Sequence, residues 1–417
     1  MKKLLMLGGA NAQIPAIKKA KDMGHYIILC DTVEDCPGKQ YAHEFYNVST
    51  TDKEAVLHLA KSLNIDGIVC YVADSGAPTV AYVAKQLGLP SNPYDSVEIL
   101  INKEKFRDFQ KEHGFNVPKA VGYSSFEEAM EGIPHFNLPV MIKPVDAAGS
   151  KGVAKIDAVE QLKEKAENAL RHSKTKRFII EEYIENYYPH VGGDGFSING
   201  QLAFCSLSNE YFSTERLNPF ISIVATWPSI LPKYLQEKVY NELQKLITLL
   251  NMNTCAYNFD IRIDKNENVY LIEVAPRNGG DWNPQAIKYA TGIDLIEYTI
   301  KGALGEDCSD LIMVEPSGFW VSYILNSHKT GKLKHIEIQE EFKKNNLVEY
   351  DLLVQPGDMV FELSGPHEKM GIIILKFSSR EEMVQKMDNI HCFIKVILED
   401  SMEGSNRKTN DTKLLFN

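Results

Sequence analysis

The chain has 417 residues, which at roughly 150 residues per domain leaves room for about three domains. It carries 45 Lys and Arg against 56 Asp and Glu, a formal charge of −11. An acidic chain without a basic block excludes nucleic acid and an anionic membrane surface as main partners, so any anionic ligand must be held by a local cluster of cations and backbone N–H groups.

The first segment, MKKLLMLGGANAQ, is charged like a signal sequence, but its apolar run stops at Leu7, too short for a signal core. It reads as a buried first strand, with a helix from Ile14 to Met23 behind it. YIILCD is the next strand, Asp52 to Leu63 a helix, DGIVCYV a third strand, and Thr79 to Leu87 a helix closed by Gly88 and Pro90. Strands alternating with helices predict a parallel, doubly wound sheet over residues 1–100. The GGANAQ turn is either an anion-binding turn or a plain tight turn. It lacks the third glycine of GxGxxG, which argues against a nicotinamide-dependent oxidoreductase, the rival from another enzyme class.

Asn102 to Gly114 is a charged helix leading into a second unit, 101–314. LPVMIKP (138–144) is a buried strand ending on a lysine, and VDAAGSKGV is a small-residue loop. Ala158 to Arg171 is a helix, and RFIIEEYIE is a strand running into acids. Asn199-Gly200 in FSINGQL signals a hairpin. Residues 208–232, with three prolines and no periodicity, read as a long loop near a site. Pro232 to Asn251 is an amphipathic helix. CAYNFDIRI and NVYLIEV form a hairpin about a four-residue loop, 265–268. From about Glu315 a strand-rich α+β unit, 315–400, begins, with GFWVSYIL, VEYDLLV, MVFEL and GIIILKF as strands. A helix from Arg380 to Met387 and the strand CFIKVIL close it before a polar tail, 401–417. No run approaches the ~18 apolar residues of a membrane span. The seven cysteines are odd in number and never spaced C-x-x-C, which points to free thiols in the cytoplasm rather than disulfides or zinc.

Three constellations carry chemistry. Counting outward from the four-residue loop sets Asp260 opposite Glu273, with Cβ atoms about 5 Å apart on one face. Such a pair either binds a hard divalent cation, as Mg²⁺ is held by one or two carboxylates plus nucleotide phosphates, or is a solvated pair bridged to Arg262 or Arg277. Lys143 ends an apolar strand just before AAGSKG, where small residues let phosphate oxygens approach the backbone and Lys151 adds charge; the plain reading is a surface loop. IIEEYIE, with Glu181, Glu182, Tyr183 and Ile184, is either part of the same site or an exposed sheet edge.

Lys103 in NKEKF, Lys143 in VMIKP, AAGSKGV, IIEEYIE, FDIRI and LIEVAPRNGG occur in the order and spacing of the ATP-grasp superfamily, and over about residues 1–310 the chain resembles its carboxylate–amine ligases. The resemblance implies an ATP-grasp fold with an N-terminal Rossmann-like domain, a lid at 115–195 and a small C-terminal domain. It implies ATP as cofactor with Mg²⁺ (or Mn²⁺), small-molecule carboxylate and amine substrates, and a homodimer as found among many relatives. Lys103 and Lys143 would hold the phosphates, with Ala148, Gly149, Ser150, Lys151 and Gly152 closing over them. Glu182 and Ile184 would meet the adenine through backbone groups, with Glu181 and Tyr183 beside them. Asp260 and Glu273 would bind the metal, and Arg277 would stabilise the acyl phosphate.

Two positions depart from the family pattern. Ala275 stands where an Asn metal ligand is usual, leaving Asn278 as a substitute. His190 stands near the usual ribose-binding acid, with Glu185 a less well aligned alternative. These departures keep a nucleotide-binding protein without turnover open as a second rival. Tyr211, Arg216, Asp281 and Trp282 are candidates for the substrate wall.

Overall fold

The computed structural model describes residues 1–212, 218–365 and 367–399. The tail from 401 and Arg216 lie outside the described residues.

The first unit is β1 (Lys3–Leu7), α1 (Ile14–Asp22), β2 (Tyr26–Asp31), β3 (Glu44–Asn47), α2 (Lys53–Leu63), β4 (Gly67–Val69) and α3 (Ala77–Leu87). Its four strands are all parallel in the order β3-β2-β1-β4. Four consecutive residues of β1 are buried, as a parallel strand covered on both faces requires. Leu4, Met6, Ile27 and Leu29 pack on one side with Ile17; Leu5, Leu7 and Ile28 pack on the other with Val56 and Val83. The Asp52 side chain caps α2 by accepting from Ala55 N–H, and Gly88, at φ 66°, ends α3. β3 is missing from the sequence reading because EFYN is short and half-exposed.

Next come α4 (Tyr94–Ile101) and α5 (Lys103–Glu112), the latter capped by Asn102 Oδ1, which accepts from the N–H groups of Glu104 and Lys105. A small antiparallel sheet follows, from β5 (Ala120–Tyr123), α6 (Phe126–Gly132), β6 (Val140–Pro144), β7 (Ala154–Ile156), α7 (Leu162–His172) and β8 (Phe178–Glu182), in the order β5-β8-β6-β7. Its helices cover one face through Ala129, Leu162, Ala166 and Ala169.

The rest of the chain is built on β9 (Val191–Ile198), β10 (Gln201–Phe212), β11 (Ser222–Trp227), α8 (Lys233–Leu249), β12 (Cys255–Ile263), β13 (Val269–Ala275), α9 (Asn283–Thr291), α10 (Leu295–Ala303) and β14 (Phe319–Leu325). It continues through β15 (Gly331–Ile338), α11 (Glu340–Asn345), β16 (Leu347–Leu352), β17 (Met359–Val360), β18 (Gly371–Phe377), α12 (Arg380–Asp388), α13 (Ile390–Phe393) and β19 (Ile394–Leu398). One eight-stranded sheet runs β13-β12-β9-β10-β11-β14-β18-β16, and a three-stranded sheet β17-β15-β19 packs beside it.

Two sequence expectations are corrected here. Residues 208–232 are not one long loop: β10 continues to Phe212, and β11 is an interior strand pairing with β10 and β14. Buried on both faces, SIVATW has no alternation to read. The β12–β13 loop has five residues, not four, since Ile263 pairs with Val269. Asp264 organises it, its Oδ1 accepting from the N–H groups of Asn266 and Asn268, both at 2.9 Å.

The large sheet has two unlike faces. On one, Leu207, Tyr257, Phe259 and Ile261 pack under α8. On the other, Phe196, Phe204, Ala225 and Trp227 pack under α9, and further along the same strands the residues turn polar. That polar stretch holds the site.

Candidate active site

β12 and β13 bring Asp260 opposite Glu273 by way of a β-bulge. Ile261 pairs with Leu271, Ile272 has no partner, and Asp260 then pairs with Glu273. Without the extra residue Glu273 would oppose Phe259 and turn to the apolar face, because a one-residue slip exchanges the faces of a strand. The Asp260 Oδ1 atom lies 2.8 Å from His190 Nε2. Burial works against its charge, but His190 pulls the carboxyl down to about 2. Glu273 Oε2 is 3.3 Å from Lys103 Nζ. Neither arginine proposed as a bridge takes this role: Arg262 donates to Ile184 O at 2.7 Å, and Arg277 pairs with Asp74.

Lys103 opens α5 and donates to Ala147 O at 2.9 Å. Lys143, at the end of β6, is 2.6 Å from Glu181 Oε2, and Arg107 Nε is 3.0 Å from Glu181 Oε1. All three are buried. Burial would raise Glu181, yet Arg107 and Lys143 bring it down to about 2. Burial lowers Lys143, with Glu181 opposing. In the loop between β6 and β7, Gly149 (φ 66°), Ser150 (φ 56°) and Gly152 (φ 72°) are left-handed, a conformation glycine adopts without penalty. Ser150 Oγ donates to Phe220 O at 2.8 Å, and Asn218 Nδ2 donates to both Ser150 O and Ser364 O at 3.2 Å.

These groups surround a cavity of about 1020 Å³. Its walls include Lys103, Lys143, Gly149 to Gly152, Glu181 to Ile184, His190, Asp260 and Glu273. Ala148, Glu185, Arg277 and Asn278 are not part of that wall. Glu182 N–H is given to Lys119 O at 2.8 Å, and Tyr183 lies under the Arg262 and Lys155 cations. Asn278 is buried, its Oδ1 accepting from Thr299 Oγ1 at 2.8 Å. Ala275 faces Asn258, whose Oδ1 accepts from Arg277 Nη1 at 3.0 Å. Tyr211 is not a pocket wall; it is buried in the core with Val224, Tyr323 and Ile373, because it points to the opposite face from Glu210. Asp281 is ion-paired with Lys369, and Trp282 next to it is also left-handed.

Reading the sequence did not single out Arg107, Asn218, Phe220, Ser364, Gly365, His367 or Glu368, all near this cavity. Distance in sequence hid all but Arg107. Nor did it single out Asp194 and Glu210, on the polar stretch. Burial raises Asp194 to about 6 against hydrogen bonds from Asn258 and Gly279, and raises Glu210 to about 7.

The donor set fits Mg²⁺. Two carboxylates face one another beside two lysines on the wall of one cavity. Mg²⁺ typically takes one or two carboxylates and completes its shell with phosphate and water. The GGANAQ turn is filled by its own chain. Gly9 N–H donates to Asp31 Oδ2 at 2.7 Å, Gly38 N–H to Gly9 O at 2.7 Å, and a Cβ on Gly9 would meet Cys36 Sγ at 2.4 Å. Among the described residues no helix is long and apolar enough to cross a membrane.

Residues 136–285 match the ATP-grasp domain family. An uncharacterised protein of Sinorhizobium fredii is 25% identical over 354 residues, covering 81% of this chain and 70% of its own. The alanine–anticapsin ligase of Bacillus subtilis is 25% identical over 302 residues, 67% of this chain and 62% of the ligase, less than two thirds of that relative's length. The L-amino acid ligase from Bacillus licheniformis superposes with a TM-score of 0.82 at 21% identity, over 96% of this chain and 99% of that one. At that identity the likeness establishes the fold.

Proposed function

We propose that this chain, a member of the ATP-grasp superfamily, is an ATP-dependent ligase that activates a carboxylate and joins it to an amine. The observation that carries the reading is the facing pair Asp260 and Glu273 flanked by Lys103 and Lys143 on the wall of one cavity. Phosphoryl transfer depends on positioning and on stabilising spread negative charge, and these four side chains supply that.

Lys103 and Lys143 would bind ATP phosphates, with Gly149 to Gly152 folding over them and Glu182 to Ile184 alongside the adenine. Asp260 and Glu273 would hold Mg²⁺, for which Mn²⁺ can substitute; bound there, it neutralises phosphate charge. The substrate carboxylate oxygen attacks the γ-phosphorus, the bond to ADP breaks, and an acyl phosphate forms. The amine nitrogen then attacks the acyl carbon, phosphate leaves, and the nitrogen loses a proton. Arg277, paired with Asp74 outside the wall of that cavity, would be the group to meet the acyl-phosphate oxygens.

The test is ADP release from MgATP with carboxylates and amines offered singly and in pairs. Stimulation by one carboxylate, increased by one amine, establishes the ligase. Binding of MgATP with no turnover for any pair would leave a narrow-specificity ligase or a nucleotide-binding protein.

A further inference from the structure

We infer that Arg107 is a positioning residue that sets both halves of the MgATP site at once. The inference rests on the assignment of Lys143 and Glu273 proposed above and goes beyond it, because Arg107 touches neither nucleotide nor metal in that scheme.

Arg107 lies one turn after Lys103 on α5, only 3% exposed, and each of its three guanidinium nitrogens contacts an oxygen of the protein. Nε contacts Glu181 Oε1 at 3.0 Å, and the other oxygen of that carboxylate holds Lys143 at 2.6 Å. This is the phosphate branch: the orientation of Glu181 fixes where the Lys143 ammonium stands. Nη2 donates to the carbonyl of Ile272 at 2.8 Å, and Nη1 donates to Gln110 Oε1 at 2.9 Å. Gln110 Nε2 in turn donates to the Leu271 carbonyl at 2.8 Å.

Ile272 is the unpaired residue of the bulge. β13 is the edge strand of its sheet and is bulged here, so carbonyls along it need donors from outside the ladder. Arg107 and Gln110 supply them from a neighbouring helix. This is the metal branch, since the bulge is what turns Glu273 to the face of Asp260. Only a planar fork with several fixed donors joins the two branches; a lysine offers one point charge. Arg107 therefore ties the strand bearing Glu181 to the strand bearing Glu273.

Two equilibrium constants separate the branches: ADP affinity in EDTA, measured by calorimetry, and Mn²⁺ affinity of the ADP-bound protein, measured by electron paramagnetic resonance. Arg107→Met should weaken each about tenfold, the lower end of what outer-shell changes cost a metal site. Arg107→Lys should restore ADP affinity in EDTA and leave Mn²⁺ binding weak. Gln110→Leu should weaken Mn²⁺ alone. Both constants staying within twofold in folded Arg107→Met would overturn the inference. Should the Arg107 variants fail to fold, unchanged Mn²⁺ affinity in Gln110→Leu overturns it. Lys143→Ala, run alongside, distinguishes the failures. No loss of ADP affinity there removes the site assignment and the phosphate branch with it. A loss there with none in Arg107→Met removes this inference only.

Discussion

Asp74 and Arg277, 203 residues apart, meet in a two-pronged ion pair, Nε to Oδ1 at 2.8 Å and Nη2 to Oδ2 at 2.9 Å. Asp74 stands just before α3 in the N-terminal unit, and Arg277 follows β13. The parallel sheet is therefore tied through one carboxylate to the loop that follows β13. Both side chains are mostly buried, and a guanidinium fork held on two oxygens keeps one orientation. Asp74→Asn keeps the shape and removes the charge, leaving Arg277 with Asn258 and the Asn278 carbonyl. We expect ADP release to slow at least about tenfold with the KM for MgATP little changed, alongside a stability loss on the order of 3 kcal/mol for a buried charge without its partner. Steady-state kinetics and denaturant unfolding check both; an unchanged turnover number would detach Arg277 from the chemistry.

Glu273→Ala should behave differently. Its carboxylate is a third exposed, and its contact with Lys103 is long, 3.3 Å, so the ion pair stabilises by less than about 1 kcal/mol. Turnover should fall by roughly a thousandfold, about the effect of removing one preorganised charged group, while the melting curve barely moves. A large drop in melting temperature with residual turnover would mark Glu273 as a structural ion-pair partner.

The hairpin shows how the site was legible in sequence and where legibility stopped. Counting from an assumed four-residue loop sets Asp260 against Glu273, and the structure has that pair. Two opposite errors produce the agreement: the loop is one residue longer, and the bulge at Ile272 restores the register. The strand carbonyls beside the bulge take their donors from elsewhere in the fold, Arg107 and Gln110, which no local pattern announces. The parallel sheet was readable because strands and helices alternate along the chain. β11 was not, because an interior strand has no polar face. Asp74, like Asn218 and Ser364 around the glycine-rich loop, is joined to its partners by the fold alone.

The buried triad of Arg107, Glu181 and Lys143 makes an asymmetric prediction. Lys143→Ala leaves Glu181 paired with Arg107, so it should lower MgATP affinity by tenfold or more with a modest effect on folding. Glu181→Ala leaves two buried cations facing each other, and breaking a buried pair in this way costs about 3–5 kcal/mol. The Glu181 carboxyl is held down to about 2 from its ordinary 4.5, so its contribution is present above pH 4.5 and is lost as the pH falls toward 2. Urea midpoints for the two variants, compared at neutral pH, check the order. Equal losses would mean that Glu181 is reached by water.

Glu210 should act in the opposite direction. Its carboxyl leans over Gly192, where a Cβ would come within 2.3 Å of Oε1, and its nearest ion-pair partner is His190 at 4.0 Å. Burial raises it from 4.5 to about 7, His190 counteracting and Asp260 adding to the rise. The unfolded chain gives up this proton near pH 4.5, whereas the folded protein keeps it to about 7. Its contribution to stability is therefore full below pH 4.5, declines as the pH climbs, and is gone above about 7. At 1.36 kcal/mol per unit this amounts to about 3 kcal/mol at most, less for the partial exposure of the side chain. Glu210→Gln removes the titration. The variant should unfold at a higher denaturant midpoint than the parent at pH 8 and match it at pH 4.5. A difference independent of pH would mean that Glu210 is already ionised in the folded protein at pH 5, its charge carried by His190.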